Sequence, residues 1–208
     1  MRVSLAVITI VFAALSAACE YLAFAFGPIL HLESPIVSHE VIIAIVSLKA
    51  IYAFAIVLAV ALLNTIAVTT VVSGRLPNAT DVTIAGLLIW LVGICAAVLS
   101  LVTFLVPVIV FAGLFAFAIP AVVAGGEKPL TSLFTSFRIA GASIVPTFGF
   151  AFGIVALVCA GAVLGAKTQQ WSAPGGWLLA GLTEQGLVAY ASYRAVRRYA
   201  SVSVEAGL

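Results

Sequence analysis

Residues 82–123 read VTIAGLLIWLVGICAAVLSLVTFLVPVIVFAGLFAFAIPAVV, a run of 42 residues in which no side chain is charged. A transmembrane helix needs about 20 predominantly apolar residues. A single helix over the whole run would be roughly twice as long as the hydrocarbon layer is thick. We therefore expect two membrane spans here, separated by a tight turn near Thr103 and Phe104, with Pro107 just after it.

The rest of the chain shares this apolar character. Of its 208 residues 64% are hydrophobic and 8% are charged, and the mean hydropathy is +1.32. Ordinary globular proteins carry about 25% charged residues, and so few charges cannot cover the surface of a soluble domain of this length. This composition excludes a soluble enzyme, a nucleic-acid-binding protein and a disordered tail, and it predicts an integral membrane protein. The net charge of +2 is too small to indicate an anionic partner.

The expected fold is an all-α, polytopic membrane helix bundle, a single domain over residues 1–208 with six transmembrane helices. The first apolar segment resembles a signal peptide superficially, but its apolar run continues past Cys19 through Phe26, so we expect a retained span. The predicted spans cover residues 3–26, 41–72, 82–103, 104–123, 141–166 and 176–193.

A short interfacial helix is predicted over residues 129–139, between the fourth and fifth spans. Its apolar residues recur at helical spacing, which is typical of an amphipathic helix lying in the membrane interface. The helix is either a simple elbow between spans or a docking surface for a partner. Its apolar face carries Leu130, Leu133, Phe134 and Phe137.

Basic residues in the short loops predict the orientation of the spans. With the N-terminus in the cytoplasm, seven basic residues fall on the inner side and only Lys167 on the outer side. This asymmetry places both termini in the cytoplasm. The inner residues are Arg2, Arg75, Lys128, Arg138, Arg194, Arg197 and Arg198.

Three ionisable residues fall inside the predicted spans: Glu20, Lys49 and Glu184. At about 1.5 Å per residue, each lies roughly 10 to 12 Å below the outer end of its span. Charged residues inside a membrane are costly unless they pair, so we expect Lys49 to contact Glu20, Glu184 or both. Three interpretations of this layer of ionisable residues remain open. It is a structural ion pair, or it forms a proton or cation pathway or a polar ligand pocket, or the three residues share a depth by coincidence and face different ways.

Small-xxx-small patterns in the fifth span predict close helix packing, within the bundle or against another membrane subunit. The pattern consists of Gly149, Gly153, Gly161 and Gly165. No catalytic motif is present, so we expect neither an enzyme nor a cofactor. Histidines and glutamates in the loop after the first span could bind a divalent metal, but their spacing favours an ordinary solvated loop and no metal site. These loop residues are His31, Glu33, His39 and Glu40.

The stretch from position 120 to position 138 contains a recognisable pattern: Pro120-Ala121-Val122-Val123, Gly126, Lys128-Pro129-Leu130 and Ser136-Phe137-Arg138. This pattern resembles that of the membrane-anchor domain that is fused to some glycerophosphodiester phosphodiesterases, and of its stand-alone bacterial relatives of unknown function. The resemblance covers roughly residues 60 to 198 and implies a six-helix fold in the bacterial inner membrane, without a catalytic residue. The chain departs from the pattern at Gly125, where the family usually has an acid.

Two functions fit these observations. The first is a non-catalytic scaffold or accessory subunit of a larger membrane assembly, with the lipid bilayer and other membrane protein subunits as partners and no nucleic acid. The second is a small transporter or channel that uses the layer of Glu20, Lys49 and Glu184.

Overall fold

The computed structural model describes residues 2–26, 39–168 and 173–205, and all regular secondary structure in these ranges is helical. The all-α prediction is therefore confirmed for the described chain. The helices are α1 (Arg2–Phe26), α2 (His39–Ser73), α3 (Ala79–Thr103), α4 (Val106–Phe115), α5 (Ala118–Val123), α6 (Pro129–Ala142), α7 (Ile144–Thr168) and α8 (Ala173–Glu205).

The turn between α3 and α4 lies where the sequence indicates it. Phe104 follows the last residue of α3 with a φ of 58°, a left-handed conformation that is uncommon for a bulky residue. Pro107 lies in the first turn of α4. Backbone N–H groups in the first turn have no intrahelical acceptor, so the N–H that proline lacks is not needed there. At the other end, α3 begins three residues before the predicted span because the Asn78 side chain accepts the backbone N–H of Thr80 at 3.1 Å and caps it.

The segment predicted as one continuous fourth span is interrupted between α4 and α5. Pro120 cannot donate to the carbonyl one turn earlier, and its ring crowds that carbonyl, so the helix breaks ahead of it. Ser136 of α6 occupies the break: its hydroxyl donates to the Leu114 carbonyl oxygen at 2.5 Å and accepts the Phe117 N–H at 3.1 Å. The prediction of one continuous span over residues 104–123 was therefore wrong, although Pro120 was a visible signal for the break.

Six helices form a closed ring in the order α1, α2, α3, α4, α7 and α8, and α8 returns to α1. Helix α2 also contacts α8 across the ring, while α5 and α6 pack at one end against α2, α3 and α8. The Trp90 indole N–H donates to the Ala55 carbonyl oxygen at 2.8 Å and joins α3 to α2. Helix α8 approaches α1 closely at Gly181, where an added Cβ would lie 2.6 Å from the Ala13 carbonyl oxygen.

Four helical segments are long and apolar enough to cross a membrane, counted among the residues that the structure describes in full. Helix α8 is not among them, because Glu184 and Gln185 lower the hydropathy of its middle, and α1 contributes only the shorter apolar stretch Ser4–Cys19. The four segments indicate a membrane protein. They are Ile51–Ser73, Ala79–Thr103, Val106–Val123 and Ile144–Gly161.

The distribution of polarity supports this assignment, since it reverses that of a soluble protein. Large apolar side chains point outward, with Val102 at 82% and Val145 at 82% exposed. Polar side chains are buried instead, with Asn64 and Gln185 both at 0%. Such an arrangement fits lipid, which solvates apolar groups and forces polar groups to find partners inside the bundle.

Candidate functional site

A pocket of about 930 Å³ lies where four parts of the chain converge at one end of the bundle. Its wall is formed by the turn after α2, the turn between α5 and α6, helix α6 and the last turns of α8. Its polar lining includes Arg75, Glu127, Thr135, Arg138, Arg197 and Tyr199.

The turn between α5 and α6 places Glu127 at the centre of the pocket. Gly126 has a φ of 69°, which favours glycine, and the Glu127 N–H folds back to the Ala121 carbonyl oxygen at 3.2 Å. Pro129 then starts α6, because its fixed φ suits the first helical position. Glu127 is thereby held between two helix ends.

Both carboxylate oxygens of Glu127 accept hydrogen bonds from hydroxyl groups. The Tyr199 hydroxyl donates to Oε1 at 2.9 Å, and the Thr135 hydroxyl donates to Oε2 at 2.7 Å. Burial of Tyr199, reinforced by the bond to Glu127, raises the pKa of Tyr199 to about 12. Tyr199 lies beyond the predicted end of the sixth span and remains a neutral hydrogen-bond donor near pH 7.

Three arginines line the same pocket as this hydrogen-bonded group. Arg75 donates to the Ala124 carbonyl oxygen at 2.6 Å and so satisfies a free carbonyl at the C-terminal end of α5. Arg197 lies over the Tyr193 ring, with 5.4 Å between its guanidinium carbon and the ring centroid. The exposed Arg138 guanidinium has no hydrogen-bond or ion-pair partner among the described residues. Both Arg75 and Arg138 act to lower the pKa of Tyr199, so both lie near its hydroxyl.

Sequence reasoning assigned no role to Glu127 and missed its contact with Tyr199. The available signal was a charged residue directly after Gly125-Gly126, in a turn between two apolar helices. Gly125 is itself required here, because an added Cβ would collide with the Tyr199 hydroxyl. A larger residue at position 125, such as an acid, would not fit beside Tyr199.

A separate buried polar cluster joins α1, α2 and α8 inside the ring. The Asn64 amide donates to the backbone and side-chain oxygens of Gln185 at 3.0 and 3.1 Å, and the Gln185 amide donates to the Ser16 hydroxyl at 3.4 Å. Glu184, next to Gln185, is 7% exposed. The side chains of Glu20 and Lys49 lie outside the described residues, so the pairing of Lys49 stays a prediction.

The loop residues considered for a metal also lie outside the described part, either wholly or in their side chains; they are His31, Glu33, His39 and Glu40. Within the residues that the structure describes, no group of three metal-binding side chains occurs.

The glycines of the predicted packing stripe on α7 differ in their surroundings. An added Cβ at Gly161 would clash with the Thr183 side chain of α8, so this glycine allows a close helix contact. At Gly149 and Gly153 an added Cβ would meet no atom within 4 Å. Neither glycine is therefore required for a close contact between helices of this chain. The side-chain surroundings of Gly165 are outside the described residues.

Helix α6 buries most of its hydroxyl residues and exposes part of its apolar face. Ser132 and Ser136 are both at 0% exposure, whereas Leu130 is 64% and Phe134 is 70% exposed. Phe137 is 37% exposed, and Leu133 packs partly against the core. The helix therefore anchors itself through polar contacts and presents an apolar face to its surroundings.

No protein-family model matches the chain, and neither a curated protein nor a solved structure is found to be similar to it.

Proposed function

We propose that the chain is a six-span protein of the bacterial inner membrane, with both termini in the cytoplasm, and that it is a non-catalytic accessory subunit of a larger membrane assembly. Four apolar segments and the reversed polarity support the membrane location. The gathering of Arg75, Arg138 and Arg197 at one end of the bundle supports the orientation, since basic residues concentrate on the cytoplasmic side.

The assignment as an accessory subunit rests on a stripe of small residues on α7, which consists of Gly149, Gly153, Ala156 and Ala160 and is called the α7 stripe below. An added Cβ at Gly149 or Gly153 would meet no atom of the chain within 4 Å. Ala156 and Ala160 continue the same face one and two turns further on, and both alanines are exposed. At about 1.5 Å per residue the stripe is roughly 17 Å long. Small residues let two helix backbones approach closely in a membrane. We therefore assign this face to a transmembrane helix of a partner subunit.

Leucine substitutions on the stripe test the proposal, with Gly86 of α3 as a matched control. Gly86 is also a helical glycine whose added Cβ would meet open space, but it lies on another face. We expect Gly149→Leu and Gly153→Leu to release the partner during purification in mild detergent, as seen by native mass spectrometry. The thermal stability of the isolated chain should not change.

Retention of the partner by all variants, or extraction of the chain alone from native membranes, would contradict this function. A complex containing only further copies of the chain would also contradict it, because the stripe would then serve self-association. Loss of the partner from Gly86→Leu as well would show that the effect is not specific to α7.

A small transporter or channel is the second candidate. It is favoured by the position of Glu184, a buried acid beside the hydrogen-bonded cluster of Gln185, Asn64 and Ser16. Protein reconstituted in liposomes that contain a pH-sensitive dye should then conduct protons or cations. Glu184→Gln should abolish the flux and Glu127→Gln, outside the spans, should not. Wild-type liposomes without flux would exclude this function.

A further inference from the structure

We propose that the pocket around Glu127 and Tyr199 is a binding site for a phosphate group. The phosphate belongs either to the headgroup of a lipid at the membrane surface or to a soluble phosphate ester. The site is separate from the α7 stripe, and its charge and shape do not depend on the proposed partner.

The lining of the pocket carries an excess of positive charge. Three arginines against one glutamate leave two positive charges in excess, and the neutral Tyr199 adds none. The whole chain has a net charge of only +2, so this local concentration is invisible in the composition. Closely placed like charges repel each other, and an anion in the pocket would relieve that repulsion.

The arginines of the pocket are not bonded to Glu127 and so are available to a ligand. Among the described residues, the hydrogen bonds that the Glu127 carboxylate accepts come from the hydroxyls of Tyr199 and Thr135. Arg75 donates one hydrogen bond to the Ala124 carbonyl oxygen. Because a guanidinium has about five N–H donors, Arg75 keeps donors for a ligand. Arg138 has no partner in the described part of the chain. Planar, paired donors of this kind match the oxygens of a phosphate.

The pocket has the size and the place that such a ligand requires. Its volume of about 930 Å³ is large enough for a lipid headgroup. It borders α6, whose exposed Leu130 and Phe134 would reach into the apolar part of the interface. Arg197 and Tyr199 lie just past the predicted end of the sixth span, at the depth of lipid headgroups. Only this depth rests on the proposed topology.

The test compares Arg138→Gln with Arg198→Gln. Both residues are exposed, both substitutions remove one positive charge at the same end of the bundle, and Arg198 does not line the pocket. The full-length protein in a neutral detergent is titrated with phosphatidic acid, phosphatidylglycerol, phosphatidylcholine and oleate, and native mass spectrometry counts the retained molecules. Inorganic phosphate and glycerol 3-phosphate are titrated separately by calorimetry. Arg197→Gln provides a second pocket variant if Arg138→Gln does not fold.

We expect the wild type to retain an anionic phospholipid in preference to oleate and phosphatidylcholine. Arg138→Gln should weaken this retention about tenfold or more, because a charge-assisted contact is lost, and Arg198→Gln by less than about twofold. The same pattern with inorganic phosphate or glycerol 3-phosphate would assign the site to a soluble ester. Equal losses in the two variants, equal retention of oleate, or no binding of any phosphate probe would overturn the proposal.

Discussion

Replacing Tyr199 with phenylalanine removes one hydroxyl from the centre of the pocket and tests whether Glu127 is held as described. The ring and its packing are kept, while Glu127 Oε1 loses the donor at 2.9 Å. A hydrogen bond to a charged group contributes about 1.5 to 3 kcal/mol to stability. Because Glu127 is only half-buried, water can replace part of the contact. We therefore expect a loss of about 1 to 2 kcal/mol in the free energy of unfolding.

The free energy of unfolding, measured as a function of pH above neutrality, tests the same contact independently. The pKa of Tyr199 in the folded chain is about 12, above its ordinary value of 10.0. The folded state therefore holds the proton more tightly than the unfolded state. The resulting stabilisation is complete below pH 10 and disappears as the pH rises towards 12. Over this window the wild type should lose roughly 2 to 3 kcal/mol, and Tyr199→Phe should lack this loss.

The assay is unfolding by titration with a denaturing detergent, followed by circular dichroism, with Tyr190→Phe as the control. Tyr190 is on the same helix but is 52% exposed. Adding Glu127→Gln completes a double-mutant cycle, whose coupling energy measures the Tyr199–Glu127 interaction. The reasoning fails if Tyr199→Phe and Tyr190→Phe unfold alike, or if the difference spectrum of Tyr199 shows ionisation near pH 10.

Three further results are expected from the same unfolding assay and from expression tests. Ser136→Ala should cost about 1 to 3 kcal/mol because it leaves the break between α4 and α5 without its hydroxyl bridge, whereas the exposed Thr131→Ala on the same helix should be close to neutral. Gly181→Ala should destabilise the chain by about 1 to 3 kcal/mol, since the new methyl would push α8 away from the α1 backbone; unchanged stability would refute that close approach. Lys49→Met should reduce the folded yield, and adding Glu184→Gln should restore part of it if the two residues pair; a double variant no better than the single one would refute the pair.

The helical architecture could be predicted from the sequence because it depends on local properties. An uncharged run twice the length of a span must turn, and the turn near Phe104 was predicted from this length together with Pro107. The break before Pro120 was not predicted, although a proline disrupts the helix one turn earlier. Its stabilisation by Ser136 was not readable, because that contact joins two helices whose relative placement no local pattern specifies.

The pocket could not be predicted for the same reason. Arg75, Glu127, Arg138 and Tyr199 come from four separate segments, and neither periodicity nor a motif connects them. The pattern on α7 was recognised as a packing stripe, but spacing does not tell which part of it faces the chain's own bundle. The structure separates Gly161, which contacts α8, from Gly149, where an added Cβ would meet no atom within 4 Å.

Cysteine accessibility in intact cells tests the proposed membrane topology most directly, and the proposed depth of the pocket at the inner face depends on that topology. The native Cys19, Cys95 and Cys159 are first replaced by alanine, and single cysteines are introduced as Thr168→Cys and Ser201→Cys. With six spans and both termini in the cytoplasm, an impermeant thiol reagent added outside should label the cysteine at position 168 and not the one at position 201. Labelling at both positions would contradict the six-span count, and labelling only at position 201 would contradict the orientation.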